Sequence, residues 1–158
     1  MEKISLVKFK NFNINNNHFK WINDPKITQH LITKKTTFRA LKYFVINSLI
    51  AKECILFKIL YNNFHVGNIK IDFNKKQNYA YIGYLIGESK YQNRGIATKA
   101  IKETAIYCNK NLGIKKIFAA TKLNNRASRK ALIKVGFKLY KKTFKHSELV
   151  NLYKLTIN

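Results

Sequence analysis

The chain has 158 residues, 46% of them hydrophobic, and carries 31 Lys or Arg against 7 Asp or Glu, a formal charge of +24. That length and apolar content suit one domain with an ordinary core and exclude a wholly disordered chain, and no apolar run approaches the roughly 18 residues of a membrane span. Two cysteines without metal-ligand spacing and an amino-terminal stretch broken by Lys give no disulfide framework, no metal site and no secretory signal, and point to a reducing cytoplasm.

Residues 4–9 (ISLVKF) predict a first strand, and 15–24 a short helix stopped by Pro25, because proline disfavours helix in the residue before it. Thr36 or Thr37 can cap a helix over 38–51 with Phe38, Leu41, Val45, Ser48 and Leu49 on one side. The β-rich runs 53–61 and 64–72 flank Asn62-Asn63, the spacing of a hairpin, and 79–86 is a further strand. From Ala97 the period lengthens: Ala97, Ala100, Ile101, Thr104, Ala105, Cys108 and Leu112 share one helix face, ended by Gly113. Residues 115–121 form a strand. Residues 126–135 form a second helix with Ser128, Ala131, Leu132 and Val135 inward, closed by Gly136, and 137–144 and 149–156 form two last strands. The order predicts a single α/β domain over 1–158, a mixed, mostly antiparallel sheet with helices on both faces.

The charge has two readings. Only four of the 31 basic residues are Arg, and the abundance of Lys, Asn and Ile is what an A/T-rich genome favours; a surface selected to bind nucleic acid, anionic lipid or a phosphorylated ligand is the other reading. The Lys pairs at 34–35, 75–76, 115–116 and 141–142 are scattered rather than gathered in one stripe.

Two stretches carry chemistry. In 84–98 (YLIGESKYQNRGIAT) a buried strand runs through a polar loop into a helix, whose exposed N–H groups and dipole make an anion site. Gly95 admits a phosphate to the backbone, Ala97 is small, and Arg94 and Thr98 add donors; a plain polar loop is the bland alternative. In 124–137 (NNRASRKALIKVGF), Asn125-x-x-Ser128 opens a helix and Gly136-Phe137 ends it, which alone also describes a capped helix. Three of the four Arg (Arg94, Arg126, Arg129) fall in these two stretches.

Together, strand–Gln92-x-x-Gly95-x-Ala97–helix–strand–Asn125-x-x-Ser128–helix–Gly136-Phe137 resembles the GNAT superfamily of N-acetyltransferases. It is closest to the branch with ribosomal-protein, polyamine and nucleotide-amino-sugar acetyltransferases. Trp21-Ile22-Asn23-Asp24-Pro25 and Ile82-Gly83-Tyr84 are similar to that branch as well, so the resemblance covers nearly the whole chain. It implies acetyl-CoA as co-substrate, with Gln92, Asn93, Arg94, Gly95, Ile96, Ala97 and Thr98 on the pyrophosphate. Tyr84, Leu85 and Ile86 would pair with the pantetheine arm, Asn125 would lie on the pantetheine side, and Lys130 would reach a phosphate. It further implies that a backbone amide, that of Leu85 or Ile86, polarises the thioester carbonyl, an oxyanion-type donor.

Two positions depart from the family. Leu132 stands where many relatives carry a Tyr that protonates the leaving thiolate, which leaves Ser128 as candidate acid, with helix-start packing as its alternative role. Tyr81 stands where many have Glu, so no general base is evident; Glu88, Asp72, His65 and His146 are weak candidates. The acceptor is expected on the face opposite CoA, lined from 18–40 (His18, Trp21, Asp24, His30, Arg39), from Tyr81 and from the 144–149 turn. Trp21 is equally a core anchor, and Arg39 is assigned to an anionic group of the acceptor. The expected function is acetyl transfer to a primary amine of a small molecule or peptide by a monomer or homodimer. A nucleotide-linked amino sugar or a protein amino terminus is favoured, because a basic surface disfavours polyamines. A nucleic-acid- or ribosome-binding protein, and an acyl-CoA binder without turnover, are the alternatives.

Overall fold

The computed structural model describes residues 3–10, 16–32 and 36–158; position 15 of the first expected helix and the Lys34-Lys35 pair lie outside them. The chain runs β1 (Ile4–Lys8), α1 (Asn16–Trp21), α2 (Pro25–Thr28), α3 (Phe38–Ile50), β2 (Cys54–Tyr61), β3 (Phe64–Asn74), β4 (Tyr79–Ile86), α4 (Ile96–Leu112), β5 (Lys116–Lys122), α5 (Arg126–Val135), β6 (Lys138–Lys145) and β7 (Glu148–Thr156). Among the described residues, seven strands make one sheet in the order β1-β2-β3-β4-β5-β7-β6. Every neighbouring pair is antiparallel except β4–β5.

Turn chemistry fixes the hairpins. Asn62 and Asn63 both take positive φ (47° and 69°), as do His146 and Ser147 (48° and 64°), the backbone that two-residue hairpin turns require. One expectation is overturned: Pro25 does not merely stop a helix. Asp24 is extended, as a residue before proline should be, and its carboxylate accepts from Lys26 N at 2.9 Å, so Pro25 opens a second helix at a position that needs no N–H.

Alternation along the strands sorts the core into two layers. Phe57, Ile59, Ile69, Ile71, Ala80, Ile82, Ile117 and Ala119 face α4 and α5 and bury Ala100, Ile101, Cys108 and Leu132 with them. Leu56 and Phe9 face the other way, onto Leu41 and Val45 of α3. Phe38, counted on the inner face of α3 by its spacing, is 42% exposed. At the register shift opposite Ile59 and Leu60, β3 carries one extra residue, Val66. That bulge turns His65 and Asn68, three apart, to one face, where a regular strand would put them on opposite faces.

Candidate active site

The parallel pairing of β4 with β5 stops at Ile82↔Ala119, while β4 continues along β3 to Ile86 and β5 along β7 to Lys122. The two strands therefore part, and a cavity of about 610 Å³ passes through the split. Gly83, Tyr84, Leu85, Ala120 and Thr121 line the split, with Asn125 and Ser128 at its α5 end. On the α3 face the lining continues with His18, His30, Phe44, Asn68, Lys70, Asp72, Tyr81 and the hairpin-tip residues Lys145 and His146.

Beyond β4 the chain turns through a 3₁₀ turn, Ser89–Tyr91, into the loop before α4. Asn93 and Gly95 both take positive φ (58° and 74°). Gly95 is the N-cap of α4, no side chain caps that end, and a Cβ built on Gly95 would meet nothing within 4 Å. The first turn of α4 thus has no side-chain cap, and the space beside Gly95 is open, at the positive end of a helix of 17 residues. Two side chains of this loop are turned inward. Gln92 Nε2 approaches the Ile86 carbonyl at 3.5 Å, and the Arg94 guanidinium donates to Tyr61 Oη at 3.2 Å and lies over its ring. Asn125 caps α5 by accepting from Ser128 N at 3.0 Å, and Lys130 is exposed, outside the cavity.

The ladder corrects the expected backbone donor. Gly87 donates its N–H to the Val66 carbonyl at 2.8 Å, and in an antiparallel pair the groups facing one neighbour recur at every second residue. Leu85 therefore also directs its N–H to β3, and the amides that face the split are those of Tyr84 and Ile86. Of the two expected donors, Leu85 and Ile86, only Ile86 has the required direction.

Side chains reach the site that periodicity does not assign. Tyr84 Oη lies 2.5 Å from Ser128 Oγ, and burial pushes the phenol up to about 12, the bond to Ser128 opposing the shift. Asn68 is 5% exposed; its Oδ1 lies 2.7 Å from His65 Nε2, which fixes the amide and leaves Asn68 Nδ2 without a partner. Thr121 Oγ1 is likewise buried and unpartnered. Asp72, the sole carboxylate in the described lining, is bridged to Lys70 at 2.8 Å.

The other expected acceptor residues divide. Tyr81 lines the cavity and stacks on Phe118 at 5.1 Å. Trp21 does not: it is 4% exposed, packed on His65 at 5.1 Å, and so close to Gly87 that a Cβ there would lie 1.8 Å from its ring. Arg39 is exposed on the first turn of α3, over the ring of Tyr43 and outside the cavity, although Thr36 and Ala40 beside it are lining residues. Of the weak base candidates, Glu88 pairs with Lys90 at 3.2 Å away from the cavity, and His65 sits behind Asn68. His18 is buried and held down to about 4, first by desolvation and then by the charges of His65 and Lys58.

Residues 6–138 match the family model described as acetyltransferase (GNAT) domain. None of the curated proteins matches the sequence. Among solved structures, the microcin C7 self-immunity acetyltransferase MccE, in complex with acetyl-CoA and AMP, is 20% identical, with a TM-score of 0.81 over 98% of this chain and 92% of that one. A GNAT-family acetyltransferase from Bacillus anthracis is 22% identical, with a TM-score of 0.78 over 98% and 93%. An acetyl transferase from Salmonella typhimurium that modifies the N-terminal serine of a 50S ribosomal subunit protein is 17% identical, with a TM-score of 0.77 over 89% and 87%. At these identities the likeness is one of fold. Among the described residues no helix is long and apolar enough to cross a membrane, and no group of three His, Cys, Asp or Glu gathers.

Proposed function

From the premise that this chain belongs to the GNAT acetyltransferase family, we propose that it moves the acetyl group of acetyl-CoA onto a primary amine of an oxygen-rich, anionic or neutral acceptor. A nucleotide-linked amino sugar and a protein amino terminus are the two favoured classes. The observation that carries this reading is the cavity that crosses the sheet through the β4–β5 split, because it lets the two substrates meet from opposite faces.

On the α5 side, the pyrophosphate would lie on the N–H groups from Gly95 to Thr98, where Gly95 leaves the approach open. The pantetheine arm would run along the free edge of β4 past Asn125. The Ile86 amide would donate to the thioester oxygen as negative charge develops there, and Ser128 would donate to the leaving sulphur. Fixing amine and thioester in one cavity supplies several kcal/mol through proximity alone.

On the α3 side, charge selects the acceptor. A polyamine needs carboxylates, and the one present in the described lining is already bound to Lys70. Beside the mouth, Tyr81, Phe118 and Tyr140 touch in a row, and Lys154 lies over the last two rings. A basic, aromatic strip at the entrance suits an anionic acceptor with a planar group, or an amino terminus presented on a ribonucleoprotein.

Acetyl-CoA turnover is to be measured over nucleotide-linked amino sugars, peptides with free amino termini, and spermidine. Transfer to the first or second class with spermidine inert is the expected result. Spermidine as the best acceptor would overturn the charge argument. An oligonucleotide shifting the melting temperature in a salt-sensitive way while CoA does not would favour a nucleic-acid-binding protein instead.

A further inference from the structure

Helix α5 lacks a hydroxyl beyond Ser128 on its inner face, since Leu132 is fully buried in the core. A lone serine is a weak donor for a departing thiolate, because its proton is free to turn to any nearby acceptor. Strand β4 supplies what the helix lacks. Tyr84 reaches across the end of the split to Ser128, 44 residues away in sequence, and both side chains line the cavity. Its Oη is 2.5 Å from Ser128 Oγ, a bond in which either hydroxyl can be the donor, and 3.4 Å from the Ser128 carbonyl, a contact too long to compete for the phenolic O–H.

We propose that Tyr84 and Ser128 form one donor chain for the leaving sulphur: Tyr84 donates to Ser128 Oγ, which turns the serine O–H away from Tyr84 and into the split, toward the thiolate. The inference rests on the acetyltransferase reading of the cavity. Ser128 touches the reacting atom; Tyr84 is a positioning residue that acts through it. A hydroxyl that accepts one hydrogen bond donates a stronger one, an effect enlarged in a low-dielectric site.

The step balances without a further reactant. The amine nitrogen bonds to the acetyl carbon and the C–S bond breaks, its electron pair going to sulphur. The charge on sulphur is met by the Ser128 O–H, and the proton released by the amine nitrogen matches the one the thiol finally holds. Tyr84 need not ionise at any stage, in keeping with a phenol that burial pushes up to about 12.

Two variants and one altered substrate test this. Tyr84→Phe removes a single oxygen, and it should lower kcat by roughly tenfold with the acetyl-CoA KM unchanged, less than the roughly hundredfold at which a directly acting acid begins, because Tyr84 acts through Ser128. In a Ser128→Ala background the same change should have almost no further effect. With acetyl-seleno-CoA, whose selenolate is a weaker base and leaves with less help, the loss in Tyr84→Phe should shrink toward unity. A structural role would give the same loss with sulphur and selenium. Equal losses with both esters, additive losses in the double variant, or full kcat in Tyr84→Phe would each overturn the proposal. Wild-type protein that binds CoA but acetylates no amine in the panel would overturn the transferase reading and this inference with it.

Discussion

The two sides of the β4–β5 split are built by different means. On the α5 side, the features that matter are backbone: a left-handed Gly95, an uncapped helix start and the free edge of β4. They are set by short runs of neighbouring residues. On the α3 side they are side chains gathered from α1, β3, β4, the α3 region and the β6–β7 turn, and of these elements only β3 and β4 are joined by a tight turn. In the proposed reading the first side would be a general receptacle for a phosphate-bearing arm, and the second a particular shape that would decide the acceptor. Damage to the first side should therefore be large and indifferent to acceptor, and damage to the second smaller and specific.

The largest effect is expected at Gly95. Gly95→Glu should weaken CoA binding at least about a hundredfold, near 3 kcal/mol, since it brings a carboxylate to the helix start where the pyrophosphate would lie. Gly95→Ala separates charge from backbone. At φ 74° it strains the turn by about 1 kcal/mol, which lowers the melting temperature but leaves most CoA affinity. Calorimetric titration of both variants with CoA reads the difference. Equal affinities in wild type and Gly95→Glu, with a native-like circular dichroism spectrum, would remove CoA from this loop.

A smaller, stability-linked effect is expected behind the acceptor side. His18 titrates near 6.5 when unfolded and near 4 in the fold, where burial holds it neutral. The unfolded state therefore binds a proton first as pH falls, and stability is lost across the window from 6.5 to 4, up to about 3 kcal/mol if the full shift is realised. His65 is lowered in the same direction, mainly by desolvation, and deepens the loss. Melting curves from pH 7.5 to 4 should fall through this window and fall less steeply in His18→Gln. A flat profile in wild type would show that neither imidazole is held neutral.

Legibility in the sequence divides along the same line. Caps, turns and helix periods are local, and Thr37, Gly113 and Gly136 end or begin helices as their chemistry dictates. The Asn125–Ser128 helix start is local too. Pro25 is ambiguous because its two local signals conflict: the same ring that ends α1 also opens α2. The Asn68–His65 pair is invisible in the sequence because it depends on a bulge, and a one-residue shift in register leaves no mark on composition. Tyr84 is assigned from the sequence to the pantetheine arm by its backbone, with no role for its hydroxyl; only the parting of β4 from β5 exposes that hydroxyl to α5.

The smallest effect is expected at Arg39, and it tests how far the acceptor side extends. Arg39 is the one Arg outside the two cofactor stretches, it sits on the first turn of α3, and lining residues Thr36 and Ala40 flank it. Its guanidinium lies 5.7 Å from the centre of the Tyr43 ring, at the rim rather than in the cavity. A charge at a rim acts mainly by steering, in a manner that salt screens, and is worth less than one buried beside the ligand. Arg39→Ala should therefore raise the KM of an anionic acceptor several-fold, under about 1.4 kcal/mol, and leave the acetyl-CoA KM alone. The difference should fade as salt is raised. An equal rise for both substrates would mean that Arg39 supports α3 rather than the acceptor. No change with any anionic acceptor would confine the acceptor side to the residues that line the cavity itself.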